Sequence, residues 1–213
     1  MTKNKSIALI SIFCFLFISL RSFNERVNIY SIGDSTMCNI DTTENNPGRG
    51  WMQVMGTHFR PNVNIFNMAA SGRSSKSFRK EGKWDKVINK VREGDYVFIQ
   101  FGHNDQKKDS LRHTDAETDF RQNLLDYVNE VKVRKAIPIL FTSIPRRQFN
   151  SDGQLKDSHG AYVTVVRSIA SEFNIPLVDL NKRTAEYIDQ LGMEESKSLF
   201  IHIGPGVSSR FPN

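Results

Sequence analysis

Five times along the chain a short apolar run gives way to an amphipathic stretch, and this alternation restricts the fold more than any other feature of the sequence. The runs VNIYSI (27–32), VNIFNM (63–68), DYVFIQFG (95–102), AIPILFTSI (136–144) and IPLVDL (175–180) read as strands. The third is continuous, β-branched and aromatic, the pattern of a strand buried on both faces. Helices are predicted near 51–59, 84–91, 117–134, 161–173 and 182–191. In the longest, Phe120, Leu124, Tyr127, Val128 and Val131 share one face. Strand and helix in alternation imply right-handed βαβ units and a parallel sheet covered on both sides. With 213 residues, 38% apolar and 24% charged, the chain suits one folded domain with a real core.

In sheets of this kind chemistry collects beyond the carboxyl ends of the strands. The polar clusters fall there: Gly33-Asp34-Ser35 after the first strand, 67–75 after the second, Gly102-His103-Asn104-Asp105 after the third. Ser35 has its hydroxyl at that edge, and a backbone N–H near a helix start would favour negative charge. That suits a nucleophile whose attack creates an oxyanion. A turn or helix cap built from Asp34, Ser35 or Thr36 accounts for the same residues. Gly72 lets the backbone approach a ligand and aim an N–H at it, and Asn104 offers a side-chain amide donor. A hydroxyl and three donors from adjacent strand ends form the parts of an acyl-transfer site. No G-x-G-x-x-G or G-x-x-x-x-G-K-[ST] follows any strand, which disfavours a nucleotide-binding protein.

GDSTM, NMAASGRSSKSF and FGHNDQ, in that order, resemble the first three sequence blocks of the SGNH (GDSL-like) hydrolases, and in particular of the rhamnogalacturonan acetylesterases. The likeness covers nearly everything from Val27 onward. It implies an α/β, three-layer, flavodoxin-like fold with a five-stranded parallel sheet. By position it makes Ser35 the nucleophile and gives the oxyanion to the N–H groups of Ser35 and Gly72 and the amide of Asn104. Asp34 and Arg73 become candidates for the substrate side, His103 for the substrate side or for shaping its loop, and His159 for the substrate side or a helix entry. The implied reaction removes acetyl groups from acetylated pectic polysaccharide (rhamnogalacturonan) through an acyl-enzyme on Ser35, with no metal or cofactor.

The fourth block of that family, D-x-x-H, carries the general base and its orienting acid, and no D-x-x-H occurs downstream of Leu180. The domain (24–213) is therefore expected to be incomplete at its C-terminus, without the closing helix, with one sheet face underfilled and activity impaired. A catalytically inactive carbohydrate-binding remnant is the alternative. None of the five histidines replaces the base convincingly. His58 lies on a predicted solvated helix face, and His113 in a polar loop. His103 belongs to the third block, and His202 has apolar flanks with no acid close in sequence. His159 has Asp157 nearby, but at the wrong spacing.

Lys3 and Lys5 precede a largely apolar run at 7–20, so residues 1–23 read as a signal peptide, or an anchor if uncleaved. The run is shorter than the roughly 20 residues a span needs. Export to the periplasm or exterior of a bacterium follows, with membrane association only if cleavage fails. Without that segment, which holds Lys3, Lys5, Arg21 and no acid, the formal charge of +6 falls to +3. The remaining cations are scattered, so nucleic acid is not an expected partner, and a monomer is expected. Cys14 leaves with the signal peptide. Cys38 alone permits no internal disulfide and is expected to be a small, partly buried thiol.

Overall fold

The computed structural model describes residues 26–43 and 46–201. The expected signal peptide, Cys14 and His202 lie outside the described residues. Strands β1 (Val27–Gly33), β2 (Val63–Asn67), β3 (Tyr96–Gln100), β4 (Ile137–Phe141) and β5 (Leu177–Val178) form one sheet in the order β2-β1-β3-β4-β5. Every pairing is parallel. The order reverses between β1 and β3, and in doubly wound sheets a crevice opens at that point beyond the strand ends.

The period-two alternation of each strand divides its side chains between two helical layers. Tyr30, Ile32, Val97, Ile99, Phe101 and Leu140 face one side. They meet α2 (Ser75–Lys80), α3 (Lys83–Ile88), α4 (Arg121–Val133) and α5 (Ala161–Glu172) through Phe78, Trp84, Leu124, Tyr127, Val166 and Ile169. Tyr127 stacks on Phe101 at 5.6 Å and takes the edge of Trp84 at 4.8 Å. Burying side chains of this size stabilises by about 1.5–3 kcal/mol each. The other face is thinner. Ile29, Phe98 and Phe141 pack with Met37 and with Met52 of α1 (Trp51–Met55). Ile65, Tyr96 and Ile139 stay half-buried there, beside Leu180 at the start of α6 (Leu180–Glu195).

The stripe predicted for the long helix is buried throughout: Phe120, Leu124, Tyr127, Val128 and Val131 are each at most 1% exposed. Two elements differ from expectation. Residues 75–80 are helical, whereas the sequence suggested a loop before a helix at 84. Ser74 caps this helix by accepting from the Ser77 N–H, and Ser77 Oγ accepts from the Ser74 N–H. A serine in the position where such a capping box usually has Glu or Gln hides the signal. β5 covers only two of the six residues expected, because Asp179 leaves the ladder to cap α6. Its carboxylate accepts from the Lys182 N–H and Thr142 Oγ and pairs with Arg167 at 2.8 Å.

Candidate active site

β1 ends on Gly33, and a Cβ there would meet the Gln100 carbonyl at 2.7 Å and Met37 Sδ at 2.8 Å, so only glycine permits this approach of β1 to β3. The chain then turns at once. The N–H groups of Met37 and Cys38 donate to the Asp34 carbonyl at 3.2 and 3.0 Å, closing one turn around Ser35 and Thr36. The helix predicted near 51–59 begins at Trp51, as expected, so the N–H of Ser35 lies in a turn and not at a helix start. Ser35 is half-buried at the apex of this turn, and its N–H has no hydrogen-bond partner among the described residues.

A directed chain of hydrogen bonds holds the turn. The Trp51 indole N–H donates to Gln100 Oε1, Gln100 Nε2 donates to Thr36 Oγ1 at 2.6 Å, and Thr36 Oγ1 donates to Asp34 Oδ1 at 2.9 Å. The Thr36 N–H also donates to Asp34 Oδ1. Asp34 was expected on the substrate side, but it is 0% exposed beneath the turn. Its carboxylate shapes the loop from inside. Burial pushes the carboxyl up to about 6, against the pull of the Thr36 bonds and the Arg146 charge. Its Oδ2 has no partner among the described residues, which leaves a place for that proton. Cys38 is 4% exposed, its thiol 3.7 Å from the Ser35 carbonyl, and burial raises its pKa.

The second and third clusters close on the first. Pairing of β2 with β1 continues past the strand ends, the Ala70 N–H donating to the Gly33 carbonyl at 2.9 Å. Gly72 has φ +77, and a Cβ there would meet nothing within 4 Å, so this turn stands in open space. Its N–H is likewise unpartnered among the described residues. Asn104 is 5% exposed and donates one amide hydrogen to the Arg73 carbonyl at 3.1 Å. Its second amide hydrogen has no partner among the described residues.

Asp105, which the sequence left without a role, joins the two loops. Its carboxylate accepts from the N–H and Oγ of Ser75, the Gly102 N–H and Thr114 Oγ1. Burial pushes this carboxyl up to about 6, while those donors pull the other way.

The other substrate-side candidates are engaged within the protein. Arg73 pairs with Glu81 at 3.1 Å and donates to the Ser71 carbonyl. His103 is half-buried and His159 is 3% exposed, and their rings bond to each other at 3.1 Å. Burial, followed by the positive charge of Arg146, holds His103 down to about 3 and His159 down to about 4. Asp157 accepts from the backbone N–H groups of His159 and Gly160, not from the imidazole. His58 and His113 are exposed, the latter bonded to the Lys107 carbonyl. Among the described residues no His, Cys, Asp and Glu side chains group as a metal site requires.

Beside Ser35 lies an open cleft of about 1050 Å³. Arg49, Trp51, Ile144, Tyr187 and Lys197 contribute to its walls, and none of the described residues lining it is acidic. Trp51 is held by stacking on Phe141 at 5.1 Å.

Residues 31–204 match the GDSL-like Lipase/Acylhydrolase family. The chain is 34% identical over 187 residues to the rhamnogalacturonan acetylesterase RhgT of Bacillus subtilis (strain 168), covering 88% of this chain and 79% of that one. It is 30% identical over 182 residues to the probable rhamnogalacturonan acetylesterase YesY of the same organism, covering 85% and 82%. Among solved structures it is similar to the Bacillus subtilis protein YxiM, with a TM-score of 0.72 and 28% identity over 83% of this chain. It spans about half of that protein, 49% of its length.

Proposed function

We propose, from the premise that the chain belongs to the GDSL-like Lipase/Acylhydrolase family, that its site is built to remove acetyl groups from rhamnogalacturonan through an acyl-enzyme on Ser35. One observation carries this reading. The Ser35 turn, the Gly72 turn and the Asn104 amide stand at three adjacent strand ends, each with an N–H unengaged among the described residues. The Ser35 oxygen adds to the acetyl carbonyl carbon, and the carbonyl oxygen takes the negative charge. The N–H groups of Ser35 and Gly72 and the Asn104 amide receive it, preorganised and without reorientation. The bond from the carbonyl carbon to the sugar oxygen then breaks, the sugar oxygen takes the proton Ser35 gave up, and water releases acetate from Ser35. The printed names of RhgT and YesY support the polymer. The aromatic Trp51 and Tyr187 in the cleft wall suit contact with sugar rings, and Arg49 and Lys197 suit a carboxylate-bearing polymer. The same reading has the chain exported by its first 23 residues.

Among the described residues no histidine bonds to Ser35. An unassisted serine hydroxyl loses orders of magnitude in rate. That observation favours a second reading, a protein that binds the acetylated polymer without cleaving it. Calorimetric titration with acetylated rhamnogalacturonan oligosaccharides, run beside an acetate-release assay, separates the two. Release that vanishes in Ser35→Ala supports the esterase; binding with no release supports the binding protein. Neither binding nor release refutes both, and release unchanged in Ser35→Ala removes Ser35 from the reaction.

A further inference from the structure

Arg146 and His159 meet His103 beside the Asn104 amide, and the sequence suggested no link among them. Arg146 follows β4 and reaches across to the end of β3 with both terminal nitrogens. Nη1 lies 2.8 Å from the ring Nε2 of His103, and Nη2 donates to the His103 carbonyl at 3.0 Å. A guanidinium has donors only, so Nε2 of His103 must be the acceptor and the ring proton sits on Nδ1. That Nδ1–H points at Nε2 of His159, 3.1 Å away, which forces the His159 proton onto its own Nδ1. From there it donates to Ser158 Oγ at 2.8 Å, and Ser158 Oγ also accepts the backbone N–H of Arg146 at 2.8 Å. The bonds form a closed ring that starts and ends on Arg146. Reversing either imidazole would set two donors against each other, at the guanidinium for His103 and between the two rings for His159.

We propose that Arg146 is a positioning residue for the Asn104 loop, gripping the ring and carbonyl of His103 and setting a single tautomer through His103 and His159. The residue after the gripped carbonyl is Asn104. Its amide is therefore held from both sides, by the peptide behind it and by the bond from its side chain to the Arg73 carbonyl. Both imidazoles stay neutral, in keeping with their lowered pKa values and the adjacent guanidinium charge. His103 and His159 then serve as struts. The proposal rests on the oxyanion reading of Asn104 for its purpose. The geometry itself is tested without substrate or turnover, so an inactive site does not touch the result.

The test is nuclear magnetic resonance of the chain with ¹⁵N in histidine rings and asparagine side chains. In the wild type at neutral pH each of the two rings should show a protonated Nδ1 and an unprotonated Nε2, with no exchange between tautomers. In Arg146→Met both rings should lose that fixed assignment, and the two Asn104 amide protons should shift. His159→Gln and His159→Ala should both keep the His103 tautomer, because Arg146 still donates to its Nε2. If Arg146→Met does not fold, Arg146→Lys decides: it keeps the charge but not the two-point grip, so the Asn104 signals should still move. A wild type with Nε2–H tautomers overturns the proposal. So does an Arg146 variant in which the rings and the Asn104 amide are unchanged.

Discussion

Gln100→Met tests whether the hydrogen-bond chain under the Ser35 turn holds it in place. Gln100 is 0% exposed, and its amide takes the Trp51 indole N–H while donating to Thr36 Oγ1. Methionine fills nearly the same volume, so cavity and overpacking costs stay small. What remains is the loss of two hydrogen bonds. A buried polar group left unpaired costs about 1–3 kcal/mol. Trp51 and Thr36 are half-buried, so each should sit near the lower end, about 2 kcal/mol together. For a chain of this size that lowers Tm by roughly 4–8 °C. Thr36→Val breaks the same Gln100 bond from the other side and leaves the buried Gln100 amide unpaired. The double variant should therefore cost less than the sum of the singles, by about 1 kcal/mol. Urea unfolding of the four proteins measures this. Strict additivity, or a Gln100→Met cost below about 0.5 kcal/mol, would refute a connected chain from Trp51 to Asp34.

Asp34→Asn should reveal the charge trapped beneath Ser35. The folded carboxyl titrates at about 6, above its ordinary 3.8. Its stabilising contribution is then complete below the unfolded value and lost as pH rises through about 6. The stability gap between wild type and Asp34→Asn should narrow or reverse from about pH 4 to about pH 7.5, by up to about 3 kcal/mol; a gap flat across that window counts against it. Gly72→Ala should cost only the strain of a left-handed residue, about 1 kcal/mol, because open space surrounds it. Gly33→Ala should cost more, since its Cβ collides with the Gln100 carbonyl and Met37; equal urea midpoints for the two would contradict the close approach.

The layered fold was legible because burial leaves a period in the sequence. The β1 and β3 runs end within two residues of their strands, and the apolar stripe of α4 is the stripe that packs. Where a different rule took over, the reading slipped. Ser77 capped a helix that a glutamate would have announced, and Asp179 ended β5 early to cap the next helix. At the site, the three polar clusters were visible because they interrupt apolar runs at strand ends. The direction in which their side chains point was not. Asp34 turned inward to Thr36, and His103 and His159 turned to each other.

What the sequence determined by itself is therefore which residues reach the carboxyl edge of the sheet, since strand period and strand end are local properties. Only the tertiary structure decided their partners. Trp51 meets Gln100 across 49 positions, Gln100 meets Thr36 across 64, and Arg146 meets His103 across 43. Such bonds depend on β1 and β3 being neighbours and on β4 lying next to β3. A hydrogen bond is made only at about 3 Å and in one direction, and no periodicity along a chain encodes that meeting.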